Sequence, residues 1–325
     1  MNAQGKTNII ESIFVSAFGK SFRAKKEKEM IKENAENFII EVEYEKEDRT
    51  GKIKIIIGEK KEIYINNIKI KKLSELLGKI NIVNFCPDDI NILKTGPQAR
   101  RRFLNMMISQ LKPNYVHCIN MYLKNLEQRN KYLKQIKMEN KNPQMLDIWD
   151  ENIAEYAQKV YNYREEYIEK IKKIINEKHS KITEGKENVD IVFLSDCKNK
   201  EKYLEELKKE RNSDIKKGYT TKGIHRDDFE VFINGKKVNI YGSQGQNRTI
   251  VLSLKMCELE IIKEETNELP ILLLDDFMSE LDKKRIKNFF DNIEKNQVIV
   301  TCTEKIESDI ECNYFEVIEG KIIEK

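Results

Sequence analysis

The stretch PILLLDDFMSELD, residues 270–282, is the most informative part of the sequence about the fold. Four consecutive apolar residues, Ile271 to Leu274, precede two acids, and this order is typical of a buried parallel strand that ends in carboxylates. In a phosphate-loop enzyme the first acid at this place holds magnesium and the second polarises the attacking water. Asp275 and Asp276 are the candidates. Apolar strands that end in Asp also occur in folds without a nucleotide, so the stretch alone leaves both interpretations open.

Upstream of that strand, residues 241–262 read YGSQGQNRTIVLSLKMCELEII. A short turn of small and polar residues leads directly into an amphipathic helix, and the first N–H groups and positive end of a helix can face an anion. The alternative is an ordinary helix cap, in which Ser243 or Asn247 accepts hydrogen bonds from unpaired backbone amides. For this stretch alone, the cap is the better interpretation.

The first ten residues, MNAQGKTNII, contain the second half of a phosphate-binding loop. The full pattern is Gly-x-x-x-x-Gly-Lys-Ser/Thr. Gly5, Lys6 and Thr7 match its end, whereas its first glycine would fall one residue before Met1. In front of a helix, the loop amides would surround the phosphates, Lys6 would reach the outer phosphates and Thr7 would bind magnesium.

A second Gly-Lys-Ser nearby serves as a control for chance. It lies in FGKSF, residues 18–22, after a helical spacing of apolar residues over 7–18. A phosphate loop precedes its helix, whereas this triplet follows one. We therefore interpret Gly19 as a C-cap and Lys20 as a solvated lysine.

Hydrophobic periodicity divides the chain into three parts, and we predict domains at 1–95, 96–217 and 218–325. The outer parts mix strands with helices, whereas the middle part is helical. There, a helix begins at Pro97, and two longer amphipathic patterns on either side of residues 141–144 indicate an antiparallel helical hairpin. An α/β module interrupted by a helical insertion is the simplest account. The predicted strands lie at 38–44, 52–57, 62–66, 80–85, 228–235, 269–276, 297–302 and 313–320, and the predicted helices of the outer parts at 7–18, 247–265 and 279–294.

Composition excludes several classes of protein. The chain has 325 residues and is 39% hydrophobic and 35% charged, which is typical of a globular protein. No apolar run approaches the roughly 18 residues of a membrane span, and no signal-peptide pattern is evident. Six cysteines without a C-x-x-C pair argue against a zinc knuckle or a disulfide framework and suit a cytoplasmic location. A net charge of +4 permits nucleic-acid binding without demanding it.

The order of the three motifs is far more specific than any one of them. The chain has a phosphate loop at one end. At the other end it has a Ser-Gln-Gly-Gln turn upstream of a strand that ends in Asp-Asp. This order resembles ATP-binding-cassette ATPases of the SMC-like class. In that class the signature turn of one subunit completes the nucleotide site of another. The resemblance narrows to the RecF family of bacterial recombination mediators and covers essentially the whole chain. It rests on NAQGKTN, GKSFR, CPDDINILKTGPQARRRFL, GIHRDDFEVFINGK, YGSQGQNRT and LLLDDFMSELD.

The resemblance implies an α/β ABC/SMC-type phosphate-loop ATPase head with an inserted helical, coiled-coil-like arm. ATP and Mg²⁺ are the implied cofactors. Thr7 and Asp275 would be the magnesium ligands, and Asp276 would be the catalytic residue at the water-activating position, where many relatives carry Glu. A shorter carboxylate there fits slow hydrolysis. The implied ATP-binding residues are Asn2, Ala3, Gln4, Gly5, Lys6 and Thr7, together with Ser243, Gln244, Gly245 and Gln246 of the signature turn.

The same resemblance implies a dimer that forms with ATP, binds single-stranded, gapped or junction DNA, and has RecR as a partner. Its role would lie in recombinational repair, replication restart and the SOS response. The alternatives are a truncated relative that binds DNA or protein without hydrolysing ATP, and an ATPase subunit of another SMC-like system, such as a transporter or a defence complex. A transporter subunit would carry a switch histidine at the end of the QVIVT strand, where this chain has Thr301, Cys302, Thr303 and Glu304.

Two charged clusters have more than one interpretation. The polar cluster from His225 to Asp228 would touch nucleotide or the signature helix, or form salt bridges at the entry of a strand. The basic cluster from Arg100 to Arg102 suggests DNA. We favour a solvated or salt-bridged helix face for it, because one helix cannot point three consecutive side chains in one direction.

The chain departs from the family at its start. Members carry a strand before the phosphate loop, and we expect that strand to lie beside the one that ends at Asp275. Its loss would leave buried backbone groups without partners, at roughly 1–3 kcal/mol each. We therefore expect Met1 to be an internal methionine of a longer reading frame. In-frame upstream codons that encode no apolar strand ending in glycine would contradict this.

Overall fold

The computed structural model describes residues 5–183, 185, 187–276, 283–293, 295–302 and 312–324. Two compact units emerge from its contacts. The first comprises Met1–Ile90, Lys181–Thr183 and Lys255–Lys325, and the second comprises Asn91–Ser180 and Glu184–Leu254. The domain limits expected at 95/96 and 217/218 remain a prediction.

Helices and strands alternate irregularly along the chain. The helices are α1 (Lys6–Phe18), α2 (Asn91–Lys94), α3 (Pro97–Leu111), α4 (Pro113–Glu139), α5 (Leu146–Thr183), α6 (Lys200–Lys209), α7 (Arg211–Lys217), α8 (Val238–Tyr241), α9 (Gln244–Thr266) and α10 (Lys283–Asp291). The strands are β1 (Phe38–Glu45), β2 (Thr50–Ile57), β3 (Lys61–Ile65), β4 (Ile68–Lys69), β5 (Ile82–Phe85), β6 (Val189–Leu194), β7 (Asp228–Ile233), β8 (Lys236–Lys237), β9 (Ile271–Asp275), β10 (Val298–Thr301), β11 (Phe315–Ile318) and β12 (Lys321–Glu324).

The first unit contains a parallel sheet in the order β10-β9-β5. Leu272, Leu273 and Leu274 are fully buried in the central strand, because it has a neighbour on each side and side chains that point to both faces of the sheet. The buried parallel strand predicted from PILLLDD is therefore confirmed. Both edges of β9 are occupied, one by β5 and the other by β10.

Helix α1 shows the limits predicted for it within one residue. It buries Ile10, Phe14 and Ala17, which recur at the three- and four-residue steps of one helix face. Gly19 ends the helix with φ 65°, a left-handed conformation that favours glycine, and its N–H bonds to the carbonyl oxygen of Val15 at 2.7 Å. The second Gly-Lys-Ser is thus a helix C-cap, as predicted.

The first unit also holds an antiparallel sheet in the order β1-β2-β3-β4. Asn66 and Asn67 connect β3 to β4 with φ values of 50° and 65°, and two left-handed residues are the requirement of a tight hairpin turn. The two asparagines therefore form the turn of this hairpin. A further hairpin, β11 with β12, lies near the end of the chain.

The second unit is built on the predicted antiparallel helical hairpin, α4 and α5. Near its tip, Trp149 Nε1 donates to Gln128 Oε1 at 3.2 Å, and farther away the rings of Tyr115 and Tyr163 lie 5.7 Å apart. Residues later in α5 therefore contact residues earlier in α4, which confirms the antiparallel arrangement.

The second unit also contains an antiparallel sheet in the order β6-β7-β8. Strand β6 lies inside the stretch expected to be helical, and its pairing with β7 joins residues on both sides of position 218. Neither β6 nor the following helices α6 and α7 were predicted.

Candidate nucleotide site

The carboxyl ends of β9 and β10 place three polar residues together in the first unit. The strands are parallel and Thr301 is the register partner of Asp275. Thr301 Oγ1 donates to Asp275 Oδ1 at 2.8 Å and accepts a hydrogen bond from the backbone N–H of Asp276 at 3.1 Å. The first acid is buried and the second is exposed.

The N-terminus of α1 meets this edge of the sheet. Thr7 Oγ1 donates to Asp275 Oδ1 at 3.0 Å, so the hydroxyls of Thr7 and Thr301 share one carboxylate oxygen. Gly5 is the N-cap of the helix, with φ 99° and ψ 5°, a conformation that side chains other than glycine rarely adopt. The first N–H groups of a helix have no partner within it, and here they lie beside the hydroxyl of Thr7 and the carboxylate of Asp275.

Lys6 also reaches the ends of these strands. Its Nζ donates to the carbonyl oxygen of Cys302, directly after β10, at 2.7 Å. Burial raises the pKa of the Cys302 thiol, so this residue presents its carbonyl and a neutral thiol. The structure therefore brings together Lys6, Thr7, Asp275 and Asp276, four of the residues predicted from motifs at opposite ends of the chain.

The Thr7 and Asp275 oxygens have the chemistry and spacing of a magnesium site. Mg²⁺ prefers oxygen ligands at about 2.0–2.1 Å in an octahedron, which puts adjacent ligands about 2.9 Å apart. The two oxygens lie 3.0 Å apart. Within the described ranges, no group of three or more His, Cys, Asp or Glu side chains is arranged to hold a metal ion. A magnesium ion needs only one or two carboxylates when phosphate and water supply the other ligands.

Asp276 has an unusual backbone conformation, with φ 49°. A left-handed residue other than glycine costs free energy, and such residues cluster at functional sites. Here the conformation turns the chain directly after β9 while the N–H of Asp276 stays bonded to Thr301. The exposed carboxylate thus follows the buried one at the edge of the sheet.

The signature turn belongs to the second unit. Ser243 Oγ accepts from the N–H of Gln246 at 3.2 Å, and Gln246 Oε1 accepts from the N–H of Ser243 at 2.9 Å. This reciprocal pair is a capping box, so the predicted helix cap is confirmed for Ser243. Asn247 instead donates to the carbonyl oxygen of Gly242. Because Gln244 already begins α9, the helix starts three residues earlier than predicted.

Two contributors to these sites were not found from the sequence. Thr301 was noted only as the place of an expected switch histidine, although a hydroxyl at the end of a strand parallel to β9 could have indicated its role. Glu187 accepts from Gln246 Nε2 at 2.8 Å, and no sequence pattern pointed to it.

The two charged clusters form salt bridges within the second unit. Arg164 bonds to Asp227 at 2.7 Å. Arg100 is buried and makes two bonds to the carboxylate of Asp228, at 2.5 and 3.0 Å. Arg101 donates to a backbone carbonyl and Arg102 is exposed, so the three consecutive arginines point in different directions. This confirms the salt-bridge interpretation for both clusters.

Several predicted residues lie outside the described part of the chain. These are Asn2, Ala3 and Gln4 of the phosphate-loop motif, Ser279, Glu280, Leu281 and Asp282 of the motif LLLDDFMSELD, and Thr303 and Glu304. Among the helices that are described, none combines the length and apolarity needed to cross a bilayer.

Comparison with known proteins gives sequence relatives over nearly the whole chain, although no protein-family model matches it. The DNA replication and repair protein RecF of Clostridium perfringens (strain 13 / Type A) is 42% identical over 331 residues, which cover 99% of this chain and 91% of the relative. The protein of the same description from Clostridium botulinum (strain ATCC 19397 / Type A) is 44% identical over 308 residues, covering 93% and 84%.

Solved structures agree with these relatives. A structure described as the recombination mediator protein RecF-ATP in the RecFOR pathway matches with a TM-score of 0.93 and 38% identity. The match covers 100% of this chain and 90% of that one. The corresponding RecF-ATPrS structure matches with a TM-score of 0.92 and 37% identity. The predicted fold class, an α/β ABC/SMC-type phosphate-loop ATPase head with an inserted helical arm, is confirmed.

Proposed function

The chain belongs to the RecF family of DNA replication and repair proteins, and from that membership we propose that it is an ATP-dependent DNA-binding protein of recombinational repair, replication restart and SOS induction. The observation that carries the proposal is the cluster of Lys6, Thr7, Asp275 and Thr301 at the N-terminus of α1. It joins a lysine and a hydroxyl from a phosphate-loop sequence to the carboxylate of a buried parallel strand.

In the proposed site, this chain's residues bind and orient the phosphates of ATP. Lys6 would place its ammonium group at the outer phosphates, and the backbone amides of Asn2, Ala3, Gln4, Gly5, Lys6 and Thr7 would surround them. Thr7 and Asp275 would hold Mg²⁺, which would supply positive charge at the outer phosphates. Thr301 holds the carboxylate of Asp275 in place through its hydrogen bond at 2.8 Å.

Asp276 is the proposed catalytic residue. Its exposed carboxylate accepts a proton from, or orients, the attacking water. Because Asp is one methylene shorter than Glu, it holds that water less closely, and we expect slow hydrolysis that times the release of the protein from DNA. The activity is therefore a weak ATPase.

The turn from Ser243 to Gln246, with Gln244 and Gly245 between them, is the proposed contact with the outer phosphate of ATP bound to a second copy of this chain. The turn is exposed at Ser243 and Gln244 and begins a helix of 23 residues, whose N-terminal end favours negative charge. ATP would thus be shared between two protomers, and binding of ATP would drive dimerisation.

The proposed partners follow from the relatives. The solved relatives are described as recombination mediators of the RecFOR pathway. For this chain we propose two partners: gapped, single-stranded or junction DNA, and RecR. We also propose that it acts in the cytoplasm and not at a membrane. DNA binding through phosphates should weaken steeply as salt is raised.

The test is the mass of the purified protein with and without MgATP, measured by light scattering, together with its binding to gapped DNA. We expect a monomer that becomes a dimer with MgATP. Lys6→Ala should abolish the shift, whereas Lys20→Ala, in the second Gly-Lys-Ser at a helix C-cap, should retain it. If MgATP changes neither the mass nor the DNA affinity of the parent protein, the result would favour the alternative that the chain binds DNA or protein without using ATP.

A further inference from the structure

A buried histidine in the second unit links the middle of α9 to the loop before β6. His179 is fully buried near the end of α5. Its Nδ1 lies 2.9 Å from Ser253 Oγ on α9, and its Nε2 lies 3.0 Å from Glu187 Oε2. The side chain therefore bridges a helix and a carboxylate that comes two residues before β6.

The carboxylate continues this link to the signature turn. Glu187 Oε1 accepts from Gln246 Nε2 at 2.8 Å. Gln246 Oε1 accepts from the N–H of Ser243, and the N–H of Gln246 donates back to Ser243 Oγ. A continuous hydrogen-bonded path thus runs from Ser253 through His179, Glu187 and Gln246 to Ser243, all within one compact unit.

With Glu187 ionised, the donors and acceptors along this path are matched. Ser253 Oγ donates to the carbonyl oxygen of Thr249 at 2.9 Å, so it can only accept from His179 Nδ1. An ionised Glu187 is an acceptor at both oxygens, and it accepts from His179 Nε2 and from the amide of Gln246. In this arrangement both ring nitrogens of His179 donate, Nδ1 to Ser253 Oγ and Nε2 to Glu187 Oε2.

We propose that Glu187 and His179 are positioning residues of the signature turn, and that the Gln246 side chain orients this turn through Glu187. The inference rests on the proposed function of the turn. His179 fixes the carboxylate, the carboxylate fixes the Gln246 amide, and the amide fixes the backbone of Ser243. A site that binds phosphate needs such supporting groups, because its donors must be held in place before the ligand arrives.

This arrangement separates two roles within the turn. The side-chain amide of Gln246 donates to Glu187 and accepts from the N–H of Ser243. Ser243 is exposed, and among the described residues its hydroxyl accepts from Gln246 while its own hydrogen has no acceptor. The Ser243 hydroxyl is therefore the side-chain donor that faces the phosphate, and Gln246 holds it there.

Exchanging the side chains of Glu187 and Gln246 tests this hydrogen-bonded path, because the double variant should restore the dimerisation that a single substitution weakens. Gln246→Glu places two carboxylates against each other and should weaken MgATP-dependent dimerisation at least roughly tenfold. In the double variant Glu187→Gln with Gln246→Glu, the new amide at 187 donates to the new carboxylate, and its oxygen accepts from His179. Dimerisation should return to within about threefold of the parent. Dissociation constants are measured by analytical ultracentrifugation.

Two controls keep the outcome specific. Glu230→Gln changes a carboxylate of the same unit that pairs with Lys237 at the surface, and it should leave dimerisation unchanged. Binding of a fluorescent ATP analogue to the isolated protomer should be equal in all variants, because the signature turn is not part of the protomer's own phosphate loop. A purely structural loss would lower this binding and would not be rescued by the swap.

The outcomes discriminate between the two levels of inference. If the parent dimerises with MgATP and the double variant stays as weak as Gln246→Glu, the positioning path is wrong while the composite site stands. If Gln246→Glu dimerises like the parent, the path is also wrong. If the parent itself does not dimerise with MgATP, the proposed function fails, and this inference fails with it.

Discussion

Thr7 Oγ1 lies 3.0 Å from Asp275 Oδ1, although 268 positions separate the two residues in the chain. The hydrogen bond joins the first turn of α1 to the last residue of the central strand β9. Thr301 completes the relationship, because its hydroxyl bonds to the same carboxylate oxygen. Two hydroxyls on one oxygen fix the orientation of the carboxylate.

Asp275→Asn should remove the magnesium dependence of ATP binding. The amide keeps the volume of the carboxylate but loses the negative charge that a divalent cation requires. We expect an affinity for an ATP analogue that is at least about tenfold weaker with Mg²⁺ and little changed with EDTA, since one ligand to a charged group is worth about 1.5–3 kcal/mol. Titration calorimetry with and without Mg²⁺ measures both. Asp190→Asn, at an exposed position of β6, is the control, and a full Mg²⁺ effect in Asp275→Asn would contradict the assignment.

Thr7→Val and Thr7→Ser separate the hydroxyl of this residue from its volume. Valine keeps the branched shape and loses the donor to Asp275, so we expect it to weaken Mg²⁺-dependent nucleotide binding roughly tenfold, whereas serine should stay within about threefold of the parent. Both are measured in the same titration. Equal affinities for the valine and serine variants would show that the hydroxyl has no part in binding.

Asp276 variants should change hydrolysis more than binding. Asp276→Asn removes the group that accepts or orients the water proton, and such groups contribute about 10²–10⁴-fold to a rate. We expect a similar fall in ATP turnover and a longer-lived ATP dimer. Asp276→Glu should hydrolyse faster than the parent. Phosphate release under single-turnover conditions gives the rates, and an unchanged rate in the Asn variant would remove Asp276 from the catalytic role.

Local patterns predicted the elements that carry the site, but not how they meet. The continuous apolar run from Ile271 to Leu274 predicted a strand buried on both faces, and the helical spacing before Gly19 predicted α1. The pairing of Thr7 with Asp275 was suggested only by the order of motifs, because no periodicity connects distant residues. Thr301 was missed since its role depends on the register of β10 against β9, which a short apolar strand does not specify from its sequence alone.

The supporting residues of the signature turn were missed for a different reason. Glu187 lies just before β6, whose six residues pair with a strand about 40 positions later, so neither its strand nor its loop gave a local signal. His179 occupies the buried face of a long helix, where a single histidine has no distinctive pattern. In contrast, the helix cap at Ser243 was predictable, because a serine three residues before a glutamine is a local motif.

Arg129→Met should destabilise the second unit strongly. Arg129 is completely buried and bonds to Asp150 at 2.6 Å and to Asp214 at 2.7 Å, both also buried. The substitution leaves two buried carboxylates without their positively charged partner. Loss of one partner of a buried ion pair lowers the free energy of unfolding by about 3–5 kcal/mol. Urea unfolding monitored by circular dichroism measures the change. Lys131→Met, in an exposed pair with Glu127, should change stability by less than about 1 kcal/mol, and a similarly small change for Arg129→Met would contradict the expectation.

His225 should make the second unit less stable in mild acid. Burial lowers the pKa of His225 from 6.5 to about 4, and its contacts favour the neutral ring, since Nε2 donates to the carbonyl oxygen of Thr220 and Nδ1 accepts from the hydroxyl of Tyr122. Below pH 6.5 the unfolded chain binds a proton that the folded chain does not, so the stability contributed by neutral His225 is complete above pH 6.5 and is lost as the pH falls toward about 4. Urea midpoints at a series of pH values should therefore fall less steeply for His225→Gln than for the parent over this window, whatever the variant's absolute stability. Parallel curves for the two proteins would mean that His225 titrates in the folded protein as it does in the unfolded chain.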